Sequence, residues 1–222
     1  MDLLARLRRG RKGATPAPRR GWSLDDPASR RRAQVHYHLV DHAILRYHWT
    51  NLDQVAPGVW RSNHPTHGRL RDLAAIGIRT ILNLRGAGPT ARFLIERESC
   101  EGLGLALVSV GLAARKPPDR AEVLALFEAF RTIERPFLMH CKSGADRAGF
   151  ASALYLLAHG ATLAQARRHL SFRYLHIRSS RTGILDHILD LYEARLARGP
   201  IGIEAWFRDE YDAGAAGAGF GR

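Results

Sequence analysis

The stretch of the chain able to do chemistry is FLMHCKSGADRAGF, residues 137–150, in which five residues separate Cys141 from Arg147. A thiol is a poor nucleophile until it ionises, and beside a helix N-terminus and cationic groups its pKa falls from about 8.5 to about 3.5–7.5. The order of residues here supplies those conditions. An apolar run ends at His140, Cys141 follows at its carboxyl end, and Lys142, Ser143, Gly144 and Ala145 form a small-residue loop leading to Asp146 and Arg147 at a helix start. Open α/β sheets bind ligands at this place. The loop offers unpaired N–H groups and the positive end of a helix dipole to an anion. Gly144 lets the backbone wrap closely, and the planar fork of Arg147 suits two phosphate oxygens. The expected chemistry is nucleophilic displacement on a bound tetrahedral oxyanion, through a covalent intermediate on Cys141.

A strand must end at Cys141 and a helix must receive Arg147, and the flanking sequence provides both. PFLMH (136–140) is a short apolar run, and RAGFASALYLLAHG reads as a helix closed by Gly160. GVWRS, TILNL (80–84) and LALVSV (105–110) read as further strands. Helices are expected in HGRLRDLAAIG, over residues 90–101 and in PPDRAEVLALFEAFRTIERP, where Asp119 and Glu122 form a capping box after Pro118. Strands alternating with helices predict an α/β fold with a central, mostly parallel sheet covered by helices on both faces. TLAQARRHL, TGILDHILDLYEARLARG and IEAWFRDEY add C-terminal helices. Upstream, the helical spacing of Val35, Leu39, Val40 and Ile44 predicts one helix ending before Thr50. The ordered domain is expected over 27–212. Residues 1–26 read as a basic flexible arm and DAGAAGAGFGR makes 213–222 a flexible tail.

Composition fits one domain with extra ends: 222 residues, 45% hydrophobic and 25% charged, near the globular average. That excludes whole-chain disorder and fibrous rods. No apolar run approaches the roughly 18 residues of a spanning helix, and two cysteines, Cys100 and Cys141, are too few for a disulfide scaffold. With no apolar signal-peptide core after the first charges, the chain reads as a reduced, cytoplasmic protein. Its net charge is +13, and residues 1–32, with ten basic and three acidic side chains, hold just over half of it. A basic arm attracts polyanions. The partner classes are a phosphorylated substrate, an anionic membrane surface for peripheral docking, and nucleic acid. Nucleic acid is the weakest, because no recognition motif or aromatic-basic platform accompanies the charge.

His140, Cys141, Gly144, Arg147 and Gly149 spell HC-x-x-G-x-x-R-x-G, which resembles the signature of the cysteine-dependent protein-tyrosine and dual-specificity phosphatase superfamily. The likeness extends more loosely from VWRSNHP through TILNLRG to HILDLYEARL and WFRDEYD, where the chain is similar to small bacterial and fungal dual-specificity-like phosphatases. The resemblance implies hydrolysis of phosphomonoesters, protein phosphotyrosine among them, with no metal or other cofactor. It makes Cys141 the nucleophile that forms a phosphocysteine. It assigns phosphate binding to Lys142, Ser143, Gly144, Ala145, Asp146 and Arg147, and support of the loop and of the lowered thiol pKa to His140.

Two features depart from that pattern. Residue 148 is Ala where the family usually carries a Ser or Thr whose hydroxyl meets the catalytic sulfur, which implies slower breakdown of the phosphoenzyme. The family's upstream general acid has no counterpart in VSVGLAARKPPDR before Asp119, which already has a structural job as a helix cap. Asp146 resembles the in-loop acid of some lipid-directed phosphatases; it protonates the leaving oxygen or merely ties the loop to a cation. Lys142 makes the pocket more cationic than one phosphate requires, as in phosphoinositide-directed relatives, or it is simply solvated. Alternatives to a protein phosphatase are a phosphatase of anionic phospholipid or sugar phosphate using Asp146, a weakly catalytic pseudophosphatase that binds phosphorylated ligands, and a rhodanese-like sulfurtransferase. Of the histidines in 36–48, only His38 and His42 share i, i+4 spacing, with Asp41 as the sole nearby carboxylate, and no metal site is read there. Asn83, Leu84 and Arg85 end a strand near the site and either support it or pack. Trp60, Phe150 and Tyr174 read as core.

Overall fold

The computed structural model describes residues 21–221, so most of the basic arm expected over 1–26 lies outside the described residues. Its centre is a five-stranded sheet: β1 (Asp53–Ala56), β2 (Val59–Ser62), β3 (Thr80–Asn83), β4 (Ala106–Ser109) and β5 (Phe137–His140), in spatial order β1-β2-β5-β3-β4. β1 is antiparallel to β2 and the other neighbours are parallel. The apolar runs read from sequence became β2 to β5. β1 was not anticipated: it is a four-residue edge strand, DQVA, turned into β2 through Pro57 and Gly58 at φ +75°. Nine α-helices surround the sheet among the described residues: α1 (Pro27–Val35), α2 (His67–Ala75), α3 (Ala91–Gly102), α4 (Arg120–Thr132), α5 (Asp146–Ala158), α6 (Leu163–Arg167), α7 (Ile184–Leu196), α8 (Ile203–Asp209) and α9 (Ala213–Ala218).

β5 is the middle strand, and all four of its side chains are buried. Phe137 and Met139 enter the main core, shared with Phe127 of α4, Phe150 of α5, Ile188 of α7 and Phe207 of α8. Leu138 enters a smaller core with Leu70 and Leu73 of α2 and Cys100 of α3. Since successive side chains alternate between faces, His140 falls on the α3 side, while Cys141 joins the main core. α4 starts as its sequence requires, with Glu122 Oε2 accepting the Asp119 N–H at 3.1 Å in a capping box. Among the described residues no helix is long and apolar enough to cross a membrane.

The helix expected to reach Thr50 breaks. α1 stops at Val35, a π-turn covers His36–Val40, and a 3-10 turn covers Ala43–Tyr47 after His42 in the left-handed region at φ 60°. Val35, Leu39, Val40 and Ile44, expected as the buried face, are 53–62% exposed. What the segment buries instead is Ala33, Tyr37 and Ala43, packed with Ala91 and Ile95 of α3, and the pair Arg46–Asp41 at 2.9 Å. A buried charge must be paired, so polar pairing rather than the apolar stripe orients this segment.

Both expected ends move. Trp22 and Leu24 pack on the α1–α3 cluster, so ordered packing begins before Pro27. Residues 213–218, placed in the flexible tail, form α9: Asp212 accepts the Ala215 N–H at 2.6 Å and Ala216 is buried. Small residues that looked featureless in sequence permit this close helix packing. The cap of α4 gives a test: Asp119→Ala is expected to lower stability to urea by about 1 kcal/mol, and Asp119→Asn by a few tenths, because Asn also caps well.

Candidate active site

The chain leaves β5 at His140, turns through residues 141–145 and enters α5, so the loop lies at the carboxyl end of the central strand. Gly144 takes φ +75°, and a Cβ on it would come within 2.6 Å of the Asn63 nitrogen and 2.8 Å of the Ser62 carbonyl carbon. Only glycine fits there. Cys141 is 2% exposed, and its Sγ accepts the Gly144 N–H at 3.3 Å. A loop that turns N–H groups toward its own centre turns carbonyls outward, and each must find a donor. The Lys142 carbonyl accepts the His64 N–H at 3.3 Å, and Ser143 accepts Asn51 Nδ2 at 2.9 Å. The carbonyls of Gly144 and Ala145 both accept Arg61 Nη2.

Arg61 was missed in the sequence, although it is fully buried in β2. Its other nitrogen donates to the His169 carbonyl at 2.8 Å, and its guanidinium lies 3.8 Å from the Tyr174 ring centroid. Burial lowers its pKa to about 10, still charged at neutral pH. Asn51, at φ 47°, also donates to the Tyr174 carbonyl at 2.9 Å. Tyr174 is therefore buried as expected, yet serves the loop as well as the core, with its hydroxyl donating to Asp53. Phe150 is wholly core and Trp60 packs at its edge.

Behind the loop, His140 Nε2 lies 2.5 Å from Glu96 Oε1, with His64 Nε2 at 3.9 Å from the same oxygen. All three side chains are buried, and among the described residues they form the one group of metal-ligand types close enough to surround an ion. His140 leaves Nε2 free, but the proton position of His64 weighs against that role. His140 Nδ1 lies 3.3 Å from the Cys141 carbonyl, which can only accept, so Nδ1 carries a proton. His64 Nδ1 faces the donor Arg85 Nη1 at 3.3 Å, which puts the His64 proton on Nε2, the atom a metal would need bare. Burial, then His140 and Arg85, push the His64 pKa well below its ordinary value. Glu96 Oε1 and His140 Nε2 thus lie side by side directly behind Cys141, without hydrogen-bond geometry between them.

Asp146 opens α5 as expected. Its Oδ1 accepts His176 Nδ1 at 2.8 Å, and His176 Nε2 donates to Asp186 Oδ2 at 2.6 Å. Burial alone would raise the Asp146 carboxyl, but hydrogen bonds from His176 and Thr182 hold it below the usual range. Burial would lower His176, and its two carboxylate partners more than reverse this, lifting it to about 9. Asp119 stands 63% exposed at its cap, 3.9 Å from Lys116. Ala148 is fully buried in the first turn of α5. Asn83 turns back to accept the Arg85 N–H at 2.8 Å, Leu84 is core, and Arg85 pairs with Asp41 at 2.5 Å; these residues support the site from behind. His38 stacks with Tyr47, and among the described residues His38 and His42 join no ligand cluster.

The mouth is cationic. Lys142 and Arg147 are half-buried, and Arg92 of α3, also missed in the sequence, feels both Arg147 and Arg85. Burial lowers both Arg92 and Lys142. None of Arg92, Lys142 and Arg147 has an ion pair among the described residues, while Arg85 is neutralised by Asp41. A buried thiol at the centre of a glycine loop, a helix start and guanidinium groups without ion pairs together can hold an oxyanion.

The profile of the PTP-SAK family, described as Swiss Army Knife protein, DSP-PTPase phosphatase domain, matches residues 54–183. The chain belongs to this family. The matched span runs from β1 past the loop to the start of α7, and takes in Arg61, His64 and Tyr174, while Asn51 lies just before it. No curated protein matches significantly. Among solved structures, TpbA of P. aeruginosa aligns at 22% identity over 67% of this chain and 90% of that one, with TM-score 0.53. Its variant in complex with phosphotyrosine aligns at 20% over 68% and 97%, TM-score 0.52. A protein assigned as a phosphatase (DUF442) from Shewanella putrefaciens aligns at 18% over 68% and 95%, TM-score 0.53. At these identities the likeness is one of fold, and it bears out the α/β, dual-specificity-phosphatase-like architecture.

The His176 bridge sets a pH dependence. A group raised to about 9 from an unfolded value near 6.5 contributes fully below pH 6.5 and loses its contribution as pH rises through 9. Thermal unfolding should therefore show the protein losing up to roughly 3 kcal/mol between pH 6.5 and 9 relative to a His176→Gln variant.

Proposed function

We propose that the protein is a cysteine-dependent phosphomonoesterase with Cys141 as nucleophile. The observation that carries the reading is the Gly144 N–H aimed at Cys141 Sγ at 3.3 Å inside a loop whose carbonyls are held outward. The loop amides and Arg147 bind the phosphate, and the sulfur attacks phosphorus in line with the ester oxygen. An S–P bond forms as the P–O bond breaks, and the leaving oxygen takes a proton. Water then cleaves S–P and returns the thiolate and inorganic phosphate. His140 donates its Nδ1–H to the Cys141 carbonyl and supports the loop.

Asp146 is the proton donor this reading favours, by position: it opens the helix that carries Arg147, whereas Asp119 is bound to its cap. In the free protein Asp146 is ionised against His176, so it takes up a proton when the arriving phosphate dianion adds like charge beside it. Asp146→Asn is then expected to lose the rate toward poor leaving groups and Asp119→Asn to keep it. Ala148 offers no hydroxyl to assist the second step, so phosphoenzyme should accumulate.

The unpaired Arg92, Lys142 and Arg147 support a substrate with more negative charge around its phosphate than an isolated phosphotyrosine presents. Arg92→Ala should raise KM for aryl phosphate about tenfold with kcat nearly unchanged, the loss of one charge-assisted contact.

Hydrolysis of aryl phosphate in chelator tests the chemistry. Wild type should give a burst of phenolate followed by slow turnover, and Cys141→Ser should give neither. Phosphate-ligand binding without turnover in both would make the protein a pseudophosphatase, and thiosulfate consumption without phosphatase activity would make it a sulfurtransferase.

A further inference from the structure

Eleven large apolar side chains are exposed among the described residues, and their placement is uneven. Seven lie in residues 35–52 and three in 172–177, leaving Ile76 alone elsewhere. Single exposed apolar residues are ordinary, whereas a concentration of them marks an interaction surface. Both segments flank the oxyanion loop. Leu45 lines a cavity of about 90 Å³ with His42, Trp49, Lys142 and Ser143. On the other side, Asn51 Nδ2 donates to the carbonyls of both Ser143 and Tyr174, which seats the Phe172–Ile177 turn against the loop. Leu39, Ile44 and Leu45 on one flank are 56–62% exposed, and Phe172, Leu175 and Ile177 on the other are 49–75% exposed.

The charges within this collar have one sign. Residues 35–52 and 172–182 contain a single carboxylate, Asp41, and it is buried between Arg46 and Arg85. Arg173 and Arg178 reach Asp53 and Asp190 at the margin while staying 73% and 61% exposed, and Arg181 is exposed as well. At the centre stand Lys142, Arg92 and Arg147. An apolar surface flanking the loop, rich in cations and with its marginal carboxylates tied to arginines, complements an interface that is apolar below and anionic at its surface.

We propose that this collar inserts into an anionic membrane surface and presents the loop to a phosphomonoester carried on a lipid. The proposal rests on the phosphatase reading for its substrate and on the collar alone for its binding. Leu39, Ile44 and Phe172 enter the interfacial layer while the cations meet headgroup phosphates. A lipid phosphomonoester then lies directly over Cys141, and its hydrolysis leaves the lipid alcohol in the membrane and releases phosphate to water.

The full chain is tested by co-sedimentation with phosphatidylcholine vesicles with and without phosphatidic acid, alongside Leu39→Asp, Ile44→Asp and Phe172→Asp. The expected result is sedimentation with phosphatidic acid vesicles, weakened roughly tenfold by each substitution, with aryl phosphate hydrolysis unchanged. Faster release of phosphate from vesicles than from a water-soluble short-chain phosphatidic acid would identify the membrane, rather than the free headgroup, as the source. Variants that sediment like wild type overturn the proposal. So does a chain lacking residues 1–20 that no longer sediments while the collar variants still do. A concentration-dependent dimer split by Phe172→Asp would reassign the collar to a second copy of this chain. If vesicle binding behaves as expected but neither substrate is hydrolysed, the collar stands and the phosphatase reading falls.

Discussion

A buried guanidinium holds this site together. Arg61 sits fully inside the protein on β2 and gathers the carbonyls of Gly144, Ala145 and His169 around one planar group, with Tyr174 closing its face. An unsatisfied buried carbonyl costs about 1–3 kcal/mol, so an anion loop with its carbonyls facing the protein interior is stable only where donors wait for it. Burial of a lone cation is costly in turn, and those same carbonyls with the ring compensate it. Neither the loop nor the arginine is tolerable without the other.

The remaining donors come from scattered places: Asn51 before β1, His64 after β2 and the Nδ1–H of His140. The chain divides its polar work by face of the sheet. On the main-core side Cys141 and Arg61 meet the loop, and on the α3 side His140, His64 and Glu96 form a closed buried cluster. Strand alternation is what allows adjacent residues 140 and 141 to take opposite duties.

Much of this was legible in the sequence, because local signals carried it. Short apolar runs located β2 to β5, Asp119 and Glu122 located the start of α4, and the spacing of Cys141, Gly144 and Arg147 located the loop. The failures share a cause. Arg61, Asn51, Glu96 and Arg92 act through partners far along the chain, and no periodicity marks them. An arginine in an otherwise buried strand such as VWRS was the one available signal, since a charge there demands a partner. In residues 35–47 the apolar spacing was a misleading guide, because Asp41, Arg46 and Tyr37 took the inward positions. β1 was too short and too polar to stand out, and the small residues of α9 hid a packed helix.

The support of the loop by distant segments also means that the cradle around Cys141 is assembled only by the completion of folding. Donors at 51, 61 and 64 must meet a loop at 141–145, and the donor at 51 also a turn at 174, contacts of long sequence separation that are slow to close. Until they do, residues 137–150 hold a cysteine with no cradle around it. The same wiring makes the surroundings of one sulfur a readout of whether the whole domain is intact.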